Sequence, residues 1–100
     1  MSSMYLKVHR IPGEGEVVAV CDRELMNRTL RHGEVEIRIT VVFFGDRLVE
    51  EEEAREVLRS AANINLFGRR SFRIACELGL LGEEDCLLIE DVPHAQVYLI

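Results

Sequence analysis

The stretch from Glu34 to Ala61 reads EVEIRITVVFFGDRLVEEEEAREVLRSA and decides the fold class, because its hydrophobic period changes from two to about 3.6 along its length. In the segment Glu34–Thr40, apolar and polar residues alternate strictly. This alternation predicts a strand with one face packed against the core and one face in water. The residues expected on the packed face are Val35, Ile37 and Ile39.

The second part of the stretch, Glu50–Ala62, has the pattern of an amphipathic helix. Its apolar residues fall at i, i+3, i+4 and i+7, which places them on one stripe. They are Ala54, Val57, Leu58 and Ala61. The glutamates at its start complement the positive end of the helix dipole, and we expect Glu51 to pair with Arg55 four residues later.

The N-terminal third predicts a hairpin followed by a short helix. Tyr5–Ile11 and Glu16–Cys21 are apolar runs separated by a Pro-Gly turn, which predicts two antiparallel strands. Asp22 is a suitable N-cap for a helix through Arg23–Met26. The residue that ends this helix is Asn27 or Gly33.

The C-terminal third predicts one more helix and two short strands. Asn63–Gly68 is uncharged and is interpreted as a connector, and Ser71 is expected to cap a helix that runs to Leu78 and ends at Gly79. The later part is expected to form a buried strand, a turn and a final strand. These are Cys86–Ile89, Asp91–His94 and Ala95–Ile100.

Taken together, the elements predict one α+β domain over residues 4–100, preceded by a disordered start at residues 1–3. We expect two layers, with a mixed or antiparallel sheet and the helices packed on one face of it. With 100 residues, 48% of them hydrophobic, the chain has enough apolar material for one core.

Charge and cysteine usage limit the classes of partner. Eighteen acidic against twelve basic residues give a net charge of −6, which argues against indiscriminate attraction to RNA or anionic lipid. No uncharged stretch approaches the length of a membrane span, so no membrane partner is expected. The widely spaced Cys21, Cys76 and Cys86 predict free thiols, a reducing cytoplasm, no metal site and no cofactor.

Short phrases in the second half carry a resemblance to a known family. They are Phe43-Phe44-Gly45, then Asn65-Leu66-Phe67-Gly68 followed by Ser71, then Val92-Pro93-His94-Ala95-Gln96. With the opening strand pair and the Cys21-Asp22 step, they resemble the archaeal family of unknown function numbered 424 over nearly the whole chain. Its members usually have glycine where this chain has Asp91, and often where it has Asn27. The resemblance implies a small archaeal cytosolic protein without an established activity, with a suggested link to translation or RNA.

The main site hypothesis is an anion-binding patch at the start of the last helix. Glycine opens the backbone there, and arginines stand where the helix dipole favours acids, so a phosphate group would stabilise them. The residues of this patch are Asn65, Gly68, Arg69, Arg70, Ser71 and Arg73. The alternative is that these arginines pair with the protein's own acids. A further polar site is formed by His94 and Gln96, where His94 either binds nearby backbone or acts as an acid or base.

Three functions follow from these features, and we favour them in the order first, second, third. The first is a module that binds RNA or a ribonucleoprotein through the arginine cluster. The second is a homodimeric protein-interaction subunit without catalysis, using apolar pairs such as Phe43-Phe44. The third is a small enzyme or metabolite binder that uses Asn65 and His94. No residue is assigned a catalytic role, and a non-enzymatic function is favoured.

Overall fold

The structure is a computed structural model and describes residues 3–13 and 15–98. Within these ranges the chain forms β1 (Met4–Ile11), β2 (Gly15–Asp22), β3 (Thr29–His32), β4 (Val35–Arg38), α1 (Val41–Phe44), β5 (Leu48–Val49), α2 (Glu51–Arg59), β6 (Asn63–Phe67), α3 (Arg69–Glu77), β7 (Leu87–Ile89) and β8 (Val92–Tyr98). A single 3-10 turn, Arg23–Leu25, follows β2. The predicted α+β class is confirmed, and the radius of gyration is 12.7 Å.

Six strands form one mixed sheet in the order β5-β1-β2-β6-β8-β7. The predicted β1–β2 hairpin is confirmed, with Met4 paired to Asp22 and Ile11 to Gly15. All neighbouring strands are antiparallel except β2 and β6, which run parallel. This parallel pair joins the two halves of the chain, because β2 belongs to the first hairpin and β6 to the second half.

The central strand β6 was missed by the sequence prediction, which interpreted Asn63–Gly68 as a connector. Its side chains alternate, since Ile64 and Leu66 are buried while Asn63 and Asn65 are only partly covered. The period-two signal is therefore present but spans only five residues. The strand is stabilised by pairing with β2 on one side and β8 on the other.

Side chains on the two faces of the sheet belong to two separate cores. On one face, α2 and α3 pack on the first core, which includes Leu6, Val20 and Leu66. On the other face, the hairpin β3–β4 and α1 contribute to the second core around Cys21 and Phe67. The expected packing of all helices on one face is not confirmed, because Phe44 of α1 belongs to this second core.

The strand predicted over Glu34–Thr40 forms, but it is shorter and lies outside the main sheet. It is observed as β4, which pairs only with β3 in a two-stranded hairpin. Ile39 is fully buried, whereas Val35 is 58% exposed because the hairpin tip extends into water. The apolar residues that follow form the short helix α1, whose N-cap Thr40 accepts a hydrogen bond from the Phe43 backbone N–H at 3.4 Å.

The two long helices are confirmed with shifted details. In α2, Ala54 and Leu58 are buried as predicted. Arg55 pairs with Glu77 of α3 at 2.9 Å instead of with Glu51, because the neighbouring helix brings that carboxylate closer. Gly79 follows α3 with a positive φ of 78°, as expected of a helix-terminating glycine.

The turn near the C-terminus lies earlier than predicted. Glu90 and Asp91 both have positive φ and form the tip between β7 and β8. Val92, Pro93 and His94, which were expected in the turn, are therefore the first residues of β8. The predicted strand Cys86–Ile89 is observed as β7, and only Ile89 in it is buried.

The start of the domain is held at both sides. The Ser3 backbone N–H donates to Val49 at 3.2 Å, and its carbonyl accepts from the Arg23 N–H at 2.9 Å. Residues 1 and 2 of the expected disordered start, and the last two residues of the final strand, lie outside the described residues. Among the helices in the described ranges, none is long and apolar enough to cross a membrane.

Candidate functional site

The start of α3 is capped by Asp22, the last residue of β2. Its buried carboxylate accepts from the Arg70 N–H at 2.9 Å, from the Ser71 N–H at 2.9 Å and from the Ser71 hydroxyl at 2.8 Å. Asp22 makes no side-chain cap to the 3-10 turn that follows it, so its predicted local capping role is wrong. Ser71 is not the N-cap either, because α3 begins two residues earlier at Arg69.

Gly68 fits this joint because it has no side chain. A Cβ at this position would overlap the Asp22 carboxylate, and the φ of 115° is one that other residues rarely adopt. Its N–H donates to the Pro93 carbonyl at 2.8 Å, which ties the start of α3 to β8. Gly68 therefore lets the Asp22 carboxylate reach the backbone N–H groups of α3, where we expected an anion.

Arg70 and Glu24 form an ion pair at the rim of the same joint. Arg70 Nη1 donates to both carboxylate oxygens, at 2.6 and 2.8 Å, and lies 3.8 Å from Asp22 Oδ2. Partial burial of Glu24 opposes the effect, but the hydrogen bonds from Arg70 hold the pKa of Glu24 below its usual value. In return, the Glu24 carboxylate raises the pKa of Arg70.

Arg73 is directed away from the joint. Its Nη2 contacts Glu51 Oε1 of α2 at 2.6 Å, and its Nε lies 3.9 Å from Glu77 Oε2. Two of the three arginines of the expected patch, Arg70 and Arg73, are thus paired with the protein's own acids. This is the alternative that the sequence left open.

Arg69 differs from these two because it lines an open cleft. The cleft has a volume of about 400 Å³ and lies between the start of α3, the 3-10 turn and the β7–β8 tip. Arg69 Nη2 donates to the Asp91 backbone carbonyl at 3.0 Å. Arg28, which follows the 3-10 turn, lines the cleft from the opposite sequence segment. Within the described residues, neither Arg28 nor Arg69 has an acidic side chain within 4.0 Å.

The remaining expected site residues lie elsewhere, on the sheet. Asn65 and Gln96 are cross-strand partners, and His94 is paired with Phe67 one step along the same face. The His94 ring stacks on Phe67 with centroids 4.0 Å apart. Its Nδ1–H donates to the Leu66 carbonyl at 2.9 Å, which is the backbone contact that the sequence offered as one reading of His94.

Asn65 therefore does not flank the arginine patch, as predicted, because its strand places it on the sheet face and not among the cleft residues. Its Oδ1 is buried and has no hydrogen-bond partner among the described residues. None of the three clefts found in the described part of the chain is lined by Asn65, His94 or Gln96. The structure brings these three residues together on an open surface rather than in a pocket.

Three functional residues escaped the sequence reasoning. Arg28 and Glu24 gave no periodic signal, and the contact of Asp22 with α3 joins residues 49 positions apart. The one available hint was a carboxylate directly after a buried strand, where it cannot point into the core unless donors meet it. Local patterns do not indicate which donors those are.

The structure offers little for metal or thiol chemistry. In residues 3–13 and 15–98 there is no group of three or more His, Cys, Asp or Glu side chains arranged to hold a metal ion. All three cysteines are free. Burial, reinforced by the neighbouring Asp22 carboxylate, raises the pKa of Cys21 to about 12, so this thiol is not an activated nucleophile.

Comparison with known proteins identifies the family and the fold. The family model described as "Protein of unknown function (DUF424)" matches residues 9–100. A crystal structure of an uncharacterized conserved protein from Methanopyrus kandleri matches with a TM-score of 0.87 and 24% identity, covering 99% of this chain and 93% of that chain. At this identity the likeness shows a shared fold. No curated protein matches the sequence.

Proposed function

The chain belongs to the family described as proteins of unknown function (DUF424), and from this premise we propose that it is a phosphate-binding module whose ligand is RNA. The observation that carries the proposal is the pair of arginines, Arg28 and Arg69, that face one cleft without an acidic partner among the described residues. A role linked to translation is part of the proposal only through the resemblance described for the sequence.

The chemistry of the cleft supports an anionic ligand. An arginine guanidinium binds phosphate through paired N–H donors, and two of them on opposite walls can hold one phosphate group from both sides. Two of the acids in the lining, Asp22 and Glu24, are already engaged by α3 and by Arg70. Their charge is therefore balanced inside the protein, while that of Arg28 and Arg69 remains available to a ligand.

Asp91 is the acid that opposes binding. It lines the cleft, is exposed, and its carboxylate forms no ion pair with another described residue. Members of the family usually carry glycine at this position, so its charge is not needed for the β7–β8 tip. Asp91→Asn keeps a residue that tolerates the positive φ of 67° and removes the repulsion. We expect this variant to bind phosphate more tightly.

The proposal is tested by titrating the ¹⁵N-labelled protein with inorganic phosphate and with a short RNA oligonucleotide. We expect backbone shifts at Gly68 and Arg69 with both ligands, and a loss of about 1 kcal/mol in binding free energy for Arg28→Ala or Arg69→Ala. Arg73→Ala is the matched control, because it removes the same charge from a paired, exposed arginine of the same helix. Equal losses in all three variants would refute a specific cleft.

A second function has one observation in its favour. The edge strand β7 exposes Leu87 by 48% and Leu88 by 55%, and beside it lies a groove of about 430 Å³ lined in part by Phe72 and Cys86. Exposed apolar residues on a sheet edge favour association with another chain. The homodimeric interaction subunit is tested by light scattering, where a mass of twice 11.4 kDa that falls to the monomer in Leu88→Glu supports it.

A further inference from the structure

One face of the six-stranded sheet is only partly covered. The hairpin β3–β4 and α1 pack over Cys21 and Phe67, but toward the opposite ends of the strands the side chains on this face are partly or fully exposed. We call this surface the open face. It consists of Lys7 and His9 of β1, Val17 of β2, Asn63 and Asn65 of β6, and His94, Gln96 and Tyr98 of β8.

The open face contains no acidic residue. The only acids in β1, β2, β6 and β8 are Glu16 and Asp22, and both share the helix-covered face with Val18 and Val20. This is unusual in a chain with eighteen acids and a net charge of −6. The only lysine, Lys7, lies on the open face together with two of the three histidines. The open face is therefore complementary in charge to an anionic ligand.

The polar groups of the open face can bind the edges of planar bases. Side-chain amides donate and accept at once, and Asn65 Oδ1 is a buried acceptor that has no donor among the described residues. His9 Nε2–H donates to the Phe43 carbonyl at 2.6 Å, and His94 Nδ1–H donates to Leu66. In the neutral ring the other nitrogen of each histidine is then an acceptor.

Aromatic rings at the margins of the open face can stack on bases. Tyr98 is 60% exposed, and the His94 ring rests on Phe67. On the other side, Phe43 of α1 stacks on His9 with centroids 5.0 Å apart. The distance from β1 to β8 is about 14 Å, from three strand spacings, which is the scale on which a four-stranded sheet stacks about two or three unpaired bases.

We propose that the open face binds the bases of single-stranded RNA. The inference rests on the proposed function in taking RNA as the ligand, but it uses side chains that are separate from the arginine cleft. Single strands are favoured over duplexes because the amides and rings require unpaired, accessible bases. The acid-free surface and Lys7 then accommodate the backbone charge.

The test measures binding of a short oligouridylate and of a blunt RNA duplex at low salt. Tyr98→Ala removes a stacking ring and is expected to weaken oligouridylate binding about tenfold. Gln96→Glu places one negative charge on the open face and is expected to weaken it about fivefold. Val35→Glu adds the same charge at an exposed residue of the β3–β4 hairpin and is expected to leave binding unchanged. All three residues are exposed, and a thermal melt verifies that each variant is folded.

The outcomes separate this inference from the proposed function. Weaker oligouridylate binding by both open-face variants, with the duplex bound less tightly than the single strand, supports the inference. Binding lost in Arg28→Ala and Arg69→Ala but unchanged in Tyr98→Ala and Gln96→Glu overturns it and leaves the cleft proposal intact. No oligouridylate binding by the wild type overturns the inference, and phosphate-induced shifts at Gly68 then report separately on the cleft.

Discussion

Two regions of the molecule use the same kinds of side chain in opposite ways. At the joint between β2 and α3, every charged group has an internal partner, since Asp22 caps α3 and Glu24 binds Arg70. In the adjoining cleft, Arg28 and Arg69 face open space without an acid among the described residues. Arg69 and Arg70 are neighbours in sequence, so residue type and helix position alone do not decide between a structural and a binding role. The elements that the fold brings to each side chain decide it.

The largest expected effect breaks the structural side of this comparison. Gly68→Ala forces a Cβ against the buried Asp22 carboxylate at a φ that alanine avoids, and we expect it to lower the free energy of unfolding by about 3 kcal/mol or more. Gly79→Ala is the control, because Gly79 also has a positive φ but has open space around its Cβ position. It should cost only about 1 kcal/mol. Urea denaturation gives both values, and equal costs would contradict the close contact at Gly68.

A smaller loss is expected from Asp22→Asn. The amide keeps the shape of the carboxylate but replaces one acceptor with a donor that faces the N–H groups of α3. We expect the free energy of unfolding to fall by about 2 kcal/mol, the range of hydrogen bonds to a charged group. Asp91→Asn makes the same chemical change at an exposed tip and should leave stability nearly unchanged. If both variants melt like the wild type, Asp22 does not stabilise the joint.

The Arg70–Glu24 pair sharpens the comparison through pH. The pKa of Glu24 is lowered in the folded chain, so the pair stabilises the fold above its usual pKa of 4.5 and this contribution is lost as the pH falls below that value. Arg70→Ala should therefore reduce stability by less than about 1 kcal/mol at neutral pH. The difference from the wild type should shrink toward pH 3. A difference that grows on acidification would contradict the pairing.

The sequence predicted those elements whose signal is local. The α2 stripe, the β1–β2 hairpin and the terminating Gly79 depend on neighbours within one or two turns. It did not identify β6 as the centre of the sheet, because a five-residue strand with two asparagines has the composition of a connector until β2 and β8 pair with it. The burial of Val35 was also wrong, since alternation does not show whether a strand joins the main sheet.

The candidate site could be predicted only in part for a related reason. The sequence indicated arginines near Gly68 and polar residues near His94, but which arginine is free depends on contacts across long separations. Arg70 meets Glu24 at a separation of 46 residues, and Arg73 meets Glu51 at a separation of 22. Pairwise contacts at such distances leave no periodic trace in the sequence. The acid-free open face is likewise visible only once the strand register is known.

The central claim is that adjacent arginines have exchanged roles, and a crossed measurement tests it most directly. Arg69→Ala and Arg70→Ala are each assayed for oligoribonucleotide affinity at low salt and for thermal stability at neutral pH. We expect Arg69→Ala to weaken binding about fivefold and to melt like the wild type, and Arg70→Ala to melt earlier and bind like the wild type. The reverse pattern, with affinity lost in Arg70→Ala and stability lost in Arg69→Ala, would contradict the account.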